Sequence, residues 1–157
     1  MSDGVGLLTR FYRGFTAPDA DAMAACYAPE VVFADPVFPD LRGPRVPAMW
    51  RMLCSRATDL HIAFEDPVIV GPRGRVHWEA HYTYSATGRP VHNIIEASFV
   101  LRDGLIAEHS DTFDLYRWAR QALGPRGVLL GWAPPVQNAI RRQAATALER
   151  YLAKTAG

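Results

Sequence analysis

Three side chains have the chemistry to move protons in an apolar setting: Asp35, His109 and Asp111. Asp35 precedes Pro36, which forces it into an extended conformation, and it shares strand parity with Phe33. A carboxyl held among such neighbours resists ionisation, so its pKa rises and it can both take and return a proton near neutrality. His109 and Asp111 stand two apart in a segment of strand character, with Ala107 and Phe113 on the same face. That spacing sets their Cα atoms about 6–7 Å apart, and a His–Asp pair of this kind can hold a proton near neutral pH. The plainer alternatives are that Asp35 caps the turn at Pro36, and that His109 and Asp111 form a buried ion pair that positions the strand.

Around these groups, Tyr82 and Asn93 are the expected hydrogen-bonding partners of a substrate. Phe11, Phe15, Phe33, Trp50, Trp78, Phe99 and Phe113 are the expected apolar lining, some of them serving as plain core. His77, Glu79 and His81 on one strand face, with His92 and Glu96 on the next, have the composition of a metal cluster. The opposite faces, Trp78, Ala80 and Tyr82 and then Asn93, Ile95, Ala97 and Phe99, are more apolar and claim the interior. The polar set then falls on the outer face of a sheet, where it is expected to meet a second copy of the chain, and no metal site is expected. The chain has no dinucleotide or phosphate loop, so no cofactor is expected.

The elements that must position these residues follow from periodicity. Leu8, Phe11, Tyr12 and Phe15 make one stripe of a helix over 3–16, and Asp19 caps a short helix carrying Met23, Cys26 and Tyr27. A short strand covers 31–35, and a third helix covers 46–57 with Pro47 in its first turn. One or two strands lie in 60–70, broken at Asp66-Pro67. Three long strands follow, over 76–85, 91–102 and 105–113, with Asp103-Gly104 as the tight turn between the last two. A helix over 114–122, an irregular segment over 124–135 and an amphipathic helix over 136–154 complete the chain; in the last, Ile140, Ala144, Ala147, Leu148, Tyr151 and Leu152 share a face.

Helix, short helix, strand, helix and a long antiparallel meander is also the order found in the nuclear transport factor 2-like superfamily. Tyr27-Ala28-Pro29-Glu30-Val31-Val32-Phe33-Ala34-Asp35-Pro36 resembles the opening of ketosteroid isomerases and SnoaL-like polyketide cyclases. The segment 102–115, which contains His109-Ser110-Asp111-Thr112-Phe113-Asp114-Leu115, resembles the last hairpin of SnoaL-like domains and of limonene epoxide hydrolase. The resemblance implies an α+β fold, a cone-shaped curved antiparallel sheet wrapped around N-terminal helices. It covers about 5–120, so residues 1–123 are expected to form the cone and 124–157 a C-terminal extension packed on it.

The resemblance also implies that Asp35 occupies the place of the isomerase base and Asp111 that of the epoxide hydrolase aspartate. Other parts of both machineries differ. The isomerase's oxyanion tyrosine falls on Phe11, with Tyr12 expected to point elsewhere, and its protonated aspartate falls on Ala97. The hydrolase's Arg–Asp pair falls on Trp78 and Ala80, or on Glu79 and His81 with a one-residue difference in the loop. Steroid isomerisation and epoxide hydrolysis in their family forms therefore lose essential groups.

The bulk properties fit this reading. The chain has 157 residues, 49% apolar and 21% charged, with a formal net charge of +1. Such a balance suits one domain and gives no electrostatic footprint for nucleic acid. Cys26 and Cys54 are expected to be free thiols. No apolar run approaches the roughly 20 residues of a membrane span and no secretion signal is evident, so a cytoplasmic protein without a membrane partner is expected. The functional expectation is a cofactor-independent proton-transfer enzyme (isomerase, cyclase or hydrolase) acting on a small apolar molecule; the alternative is a non-catalytic ligand-binding or protein-interaction module of the same fold.

Overall fold

A computed structural model describes residues 3–56 and 58–155. Three helices lead: α1 (Gly4–Thr16), α2 (Ala20–Ala24) and, after strands β1 (Tyr27–Ala34) and β2 (Leu41–Arg42), α3 (Arg45–Arg56). Strands β3 (His61–Phe64), β4 (Val68–Val70), β5 (Arg73–Tyr84), β6 (Arg89–Arg102) and β7 (Leu105–Thr112) follow, then helices α4 (Leu115–Leu123), α5 (Pro125–Leu130) and α6 (Pro134–Thr155). Short acidic side chains start three of the helices. Asp3 accepts from the Gly6 amide, Asp19 from Ala22 and Asp114 from Arg117, each satisfying an N–H that has no partner within the helix.

The strands form one seven-stranded sheet in the order β2-β1-β7-β6-β5-β3, with β4 paired to β5. The meander is antiparallel, as its hairpins require. Asp103 (φ 55°) and Gly104 (φ 74°) form the two-residue turn between β6 and β7, both in the left-handed region that such a turn needs. The expected all-antiparallel sheet is corrected at one place: β1 runs parallel to β7, with Phe33 opposite His109 and Ala34 opposite Ser110. The first strand is also longer than the expected 31–35, beginning at Tyr27. The end of the expected third helix, Ala57, lies outside the described residues.

Alternation along β6 and β7 sends Val91, Asn93, Ile95, Ala97, Phe99, His109 and Asp111 inward. Helix α1 lies across this concave face and buries Leu8, Phe11 and Tyr12 completely. A fully buried Leu or Phe contributes about 1.5–3 kcal/mol, so α1 is held by its stripe rather than by intrinsic helix propensity. Both cysteines are free, Cys26 buried and Cys54 half-buried.

Helix α6 packs on α3 and sends Leu148 into the core, with Ala144, Ala147, Tyr151 and Leu152 beside it. Arg141 donates from Nε to the Pro36 carbonyl at 2.8 Å, which ties α6 to the loop after Asp35. The segment read as irregular contains a short helix, α5. Its many Gly and Pro residues conceal it from a periodicity argument, yet two of those glycines are what let it dock. A Cβ at Gly127 would lie 1.9 Å from the Ala119 carbonyl oxygen of α4.

Gly127→Ala is therefore expected to lever α5 off α4 and cost about 1–3 kcal/mol of stability in urea unfolding. An unchanged midpoint would show that this contact is not as tight as described.

Candidate active site

The interior carries a hydrogen-bonded chain within an aromatic cluster. Trp50 donates from Nε1 to the Tyr27 hydroxyl at 2.8 Å, and that hydroxyl lies 2.8 Å from His109 Nδ1. His109 Nε2 lies 2.9 Å from Asp111 Oδ1, which also receives Trp78 Nε1 at 3.4 Å. One direction satisfies every member. The Tyr27 oxygen accepts from Trp50, so its own proton goes to His109 Nδ1, and Nε2–H then points at the Asp111 carboxylate. His109 and Asp111 are 2% and 4% exposed, too little for water to take over these bonds.

Aromatic rings enclose the chain. The His109 ring lies edge-on to Phe11 and Phe33 and stacks with Trp50 at 6.1 Å between centroids. Phe15 meets both Trp50 and Trp78. Of the expected lining residues, Phe11, Phe15, Phe33, Trp50, Trp78 and Phe99 thus pack on one another in the core. Asn93 is buried on the same face, opposite Ala80. Tyr82 and Phe113 are half-buried and belong to a second apolar cluster with Val37, Val91 and Trp118. Surface clefts of about 440 Å³ and about 200 Å³ lie elsewhere, the first lined by Thr87, Leu123, Arg126, Leu130 and Val136, the second near Asp3 and Asp103.

Asp35 sits at the edge of this interior. Its Oδ1 accepts from the amides of Val37 at 2.7 Å and Phe38 at 2.6 Å, so the turn-capping alternative is realised. Capping does not make it an ordinary surface acid. Burial pushes its pKa up, and the Asp111 charge adds to that against the opposing amide bonds, leaving it at about 7. The two acids expected to share one environment therefore sense each other. The Tyr82 hydroxyl accepts from Trp118 Nε1 at 2.8 Å, and burial, with smaller contributions from Tyr84 and Asp35, raises its pKa.

Two buried polar groups of this interior escaped the sequence argument. Tyr27 is one. Expected on the buried face of the short helix that Asp19 caps, it instead opens β1, because that helix ends at Ala24. The other is Tyr12, expected to point elsewhere. It is wholly buried, stacked on Phe64, and its hydroxyl is the one buried side-chain polar atom without a partner among the described residues. Burial and then the Asp111 charge push its pKa well up. A buried hydroxyl without a partner costs about 1–3 kcal/mol, and such a group is a ready donor to an incoming oxygen.

The outer sheet face carries the polar ladder. His77 bonds to Glu96 through Nδ1 and to Glu79 through Nε2, and Glu79 also meets His92 at 2.6 Å. His81 stacks on His92 with centroids 4.0 Å apart. The side chains pair in sequence along the face, and among the described residues no three converge as metal ligands. The Glu96 and then Glu79 hydrogen bonds raise the His77 pKa to about 9.

The class of protein is now defined: an α+β cone in which a curved sheet closes over a helix and encloses a Tyr–His–Asp chain. The chain belongs to the SnoaL-like domain family, whose pattern matches residues 8–109. No curated protein matches it. Among solved structures it resembles a nuclear transport factor 2-like protein of unknown function from Burkholderia pseudomallei, at 20% identity over 73% of this chain and 92% of that one, TM-score 0.64. It also resembles a candidate polyketide cyclase from Pseudomonas putida, at 21% identity over 78% and 98% of the two chains, TM-score 0.65. A third is a protein of ketosteroid isomerase-like fold from Catenulispora acidiphila in complex with trimethylamine, at 12% identity over 80% and 96%, TM-score 0.66. These likenesses establish the fold.

Two pH effects follow. A carboxyl whose pKa is raised from 3.8 to about 7 penalises the folded state as pH rises through that window. Asp35→Asn should therefore unfold at higher urea than the parent at pH 8, by about 2–4 kcal/mol, and the gain should vanish below pH 4; a variant less stable at pH 8 contradicts this. His77 has the opposite sign. Its contribution is complete below pH 6.5 and lost as pH rises through about 9, so the stability difference between parent and His77→Gln should shrink across that window, and a constant difference would count against the ladder.

Proposed function

We propose that the protein is a cofactor-independent enzyme that moves a proton on a small apolar carbonyl compound, with Asp35 as the general base. The observation that carries the reading is the Asp35 carboxyl, held at about 7 by burial and by Asp111. A base poised near the working pH takes a proton from a C–H next to a carbonyl and returns it at another atom with little bias either way. Asp35 Oδ1 is engaged by the turn amides, which fix the carboxyl and leave Oδ2 to take the proton.

As the proton leaves, negative charge gathers on the carbonyl oxygen. The free Tyr12 hydroxyl is the donor suited to it. Asp111 acts through position: its bonds to His109 and Trp78 fix it inside, where it adds to the rise that burial gives the Asp35 pKa. The half-buried residues Val37, Tyr82 and Phe113 pack against the second apolar cluster. The shared fold with a candidate polyketide cyclase supports a substrate with activated C–H bonds. The ring-on-ring packing of Trp50 and Trp78 favours a second reading, a container without chemistry, in which ligand binds by displacing those rings.

A panel of enone, lactone and epoxide compounds separates the two. The enzyme reading predicts turnover with at least one class, a kcat/KM that rises with pH through about 7, and a loss of about 10²–10⁴ in kcat for Asp35→Asn. Binding without turnover, or turnover that Asp35→Asn leaves intact, would refute it.

A further inference from the structure

Four of the exposed large apolar side chains lie together in sequence outside the cone, at 128–132. Val128, Leu129, Leu130 and Trp132 are 51%, 71%, 52% and 63% exposed. This exposure is built in. The side of α5 that faces α4 is glycine: a Cβ at Gly131 would lie 2.8 Å from Ala119 Cβ, and one at Gly127 would strike the Ala119 carbonyl. With glycine on the packed side, the large side chains are turned outward.

The tip is also braced. Tyr116 donates its hydroxyl proton to the Val128 carbonyl at 2.8 Å, Trp132 Nε1 donates to the Leu129 carbonyl at 3.0 Å, and Gln137 donates to the Gly131 carbonyl at 3.0 Å. The indole N–H is thereby satisfied within the tip, and its ring presents only apolar surface. Single exposed apolar residues are ordinary on any protein, but four within five positions, held in place, mark a contact site.

Charge narrows the partner. The whole chain is nearly neutral at +1, yet between Asp114 and Glu149 it holds five arginines and no acidic residue. Arg126 lies in α5 itself, Arg120 lies over the Tyr116 ring at 4.9 Å, and Arg89 packs against Gly124 where α5 begins. Two copies meeting through this surface would bring like-charged rims together. We propose that the 128–132 tip docks the protein on an anionic lipid surface, the apolar side chains entering the interface and the arginines meeting the headgroups. A bilayer interface accepts Leu and Trp without shape complementarity, and basic residues alongside add electrostatic attraction. This departs from the expectation of no membrane partner, which rested on the length of apolar runs; a tip inserts side chains and needs no span.

Co-sedimentation of the full chain with vesicles tests the proposal. The protein should pellet with phosphatidylcholine vesicles containing about one-third phosphatidylserine and stay in solution with phosphatidylcholine alone. Leu129→Ser with Leu130→Ser, and separately Arg120→Gln with Arg126→Gln, should each lower the bound fraction about tenfold. Trp50, Trp78 and Trp118 are buried, so a blue shift of tryptophan fluorescence on binding should come from Trp132 and disappear in Trp132→Phe. No binding to the anionic vesicles, equal binding to both kinds, or a shift that survives Trp132→Phe overturns the assignment. So does a lipid-free dimer in sedimentation velocity that the Leu129→Ser, Leu130→Ser variant abolishes, which would give the tip to a second copy. Capture of a soluble acidic protein without vesicle binding would overturn it as well.

Discussion

A carboxylate buried in an aromatic core is the constraint from which the rest of this interior follows. Removing an ion from water costs several kcal/mol unless its environment answers it. Asp111 is answered by His109 Nε2–H and the Trp78 indole, and His109 by Tyr27, which is fixed by Trp50. Each partner draws on a different element: β7, β5, β1 and α3. Hydrogen-bond direction thus ties together four pieces of chain that hydrophobic packing alone would leave free to slide. At the edge of the cone, burial raises the Asp35 pKa to about 7, and the Asp111 charge adds to that rise. Structure and chemistry rest here on one buried acid.

Much of this is written openly in the sequence. Asp19 and Asp114 announce helix starts because a short carboxylate satisfies amides that the helix cannot. Asp103-Gly104 announces a hairpin because the turn needs positive φ at both positions. The interior faces of β5 and β6 follow from alternation, which separates Trp78 and Phe99 from the His–Glu ladder outside. The candidate acids Asp35 and Asp111 come from the same parity argument together with family resemblance.

What escaped has physical causes. Periodicity reports which face a residue takes and says nothing of what its polar atom meets, so Trp50 and Trp78 read as apolar lining although their N–H groups organise the site. The end of α2 at Ala24 gives Tyr27 to β1 rather than to the helix, and the crowding of α1 against the sheet turns both Phe11 and Tyr12 inward where a one-position argument admits only one. Glycines that read as breaks at 127 and 131 are packing contacts, because α5 approaches α4 closer than any side chain allows. The C-terminal elements thereby gain two tasks. Helix α6 closes over the loop that holds Asp35, and α5 turns apolar surface outward.

The account stands on the electrostatic link between Asp111 and Asp35. Carbon-detected NMR titration of the Asp35 carboxyl, in the parent and in Asp111→Asn, reads that link directly. The parent should titrate at about 7, and the variant at lower pH, because a neutral amide no longer opposes ionisation of its neighbour. A parent value in the ordinary aspartate range, or one that the substitution leaves unmoved, would contradict the claim that the buried acid adds to the proton affinity of the one at the edge.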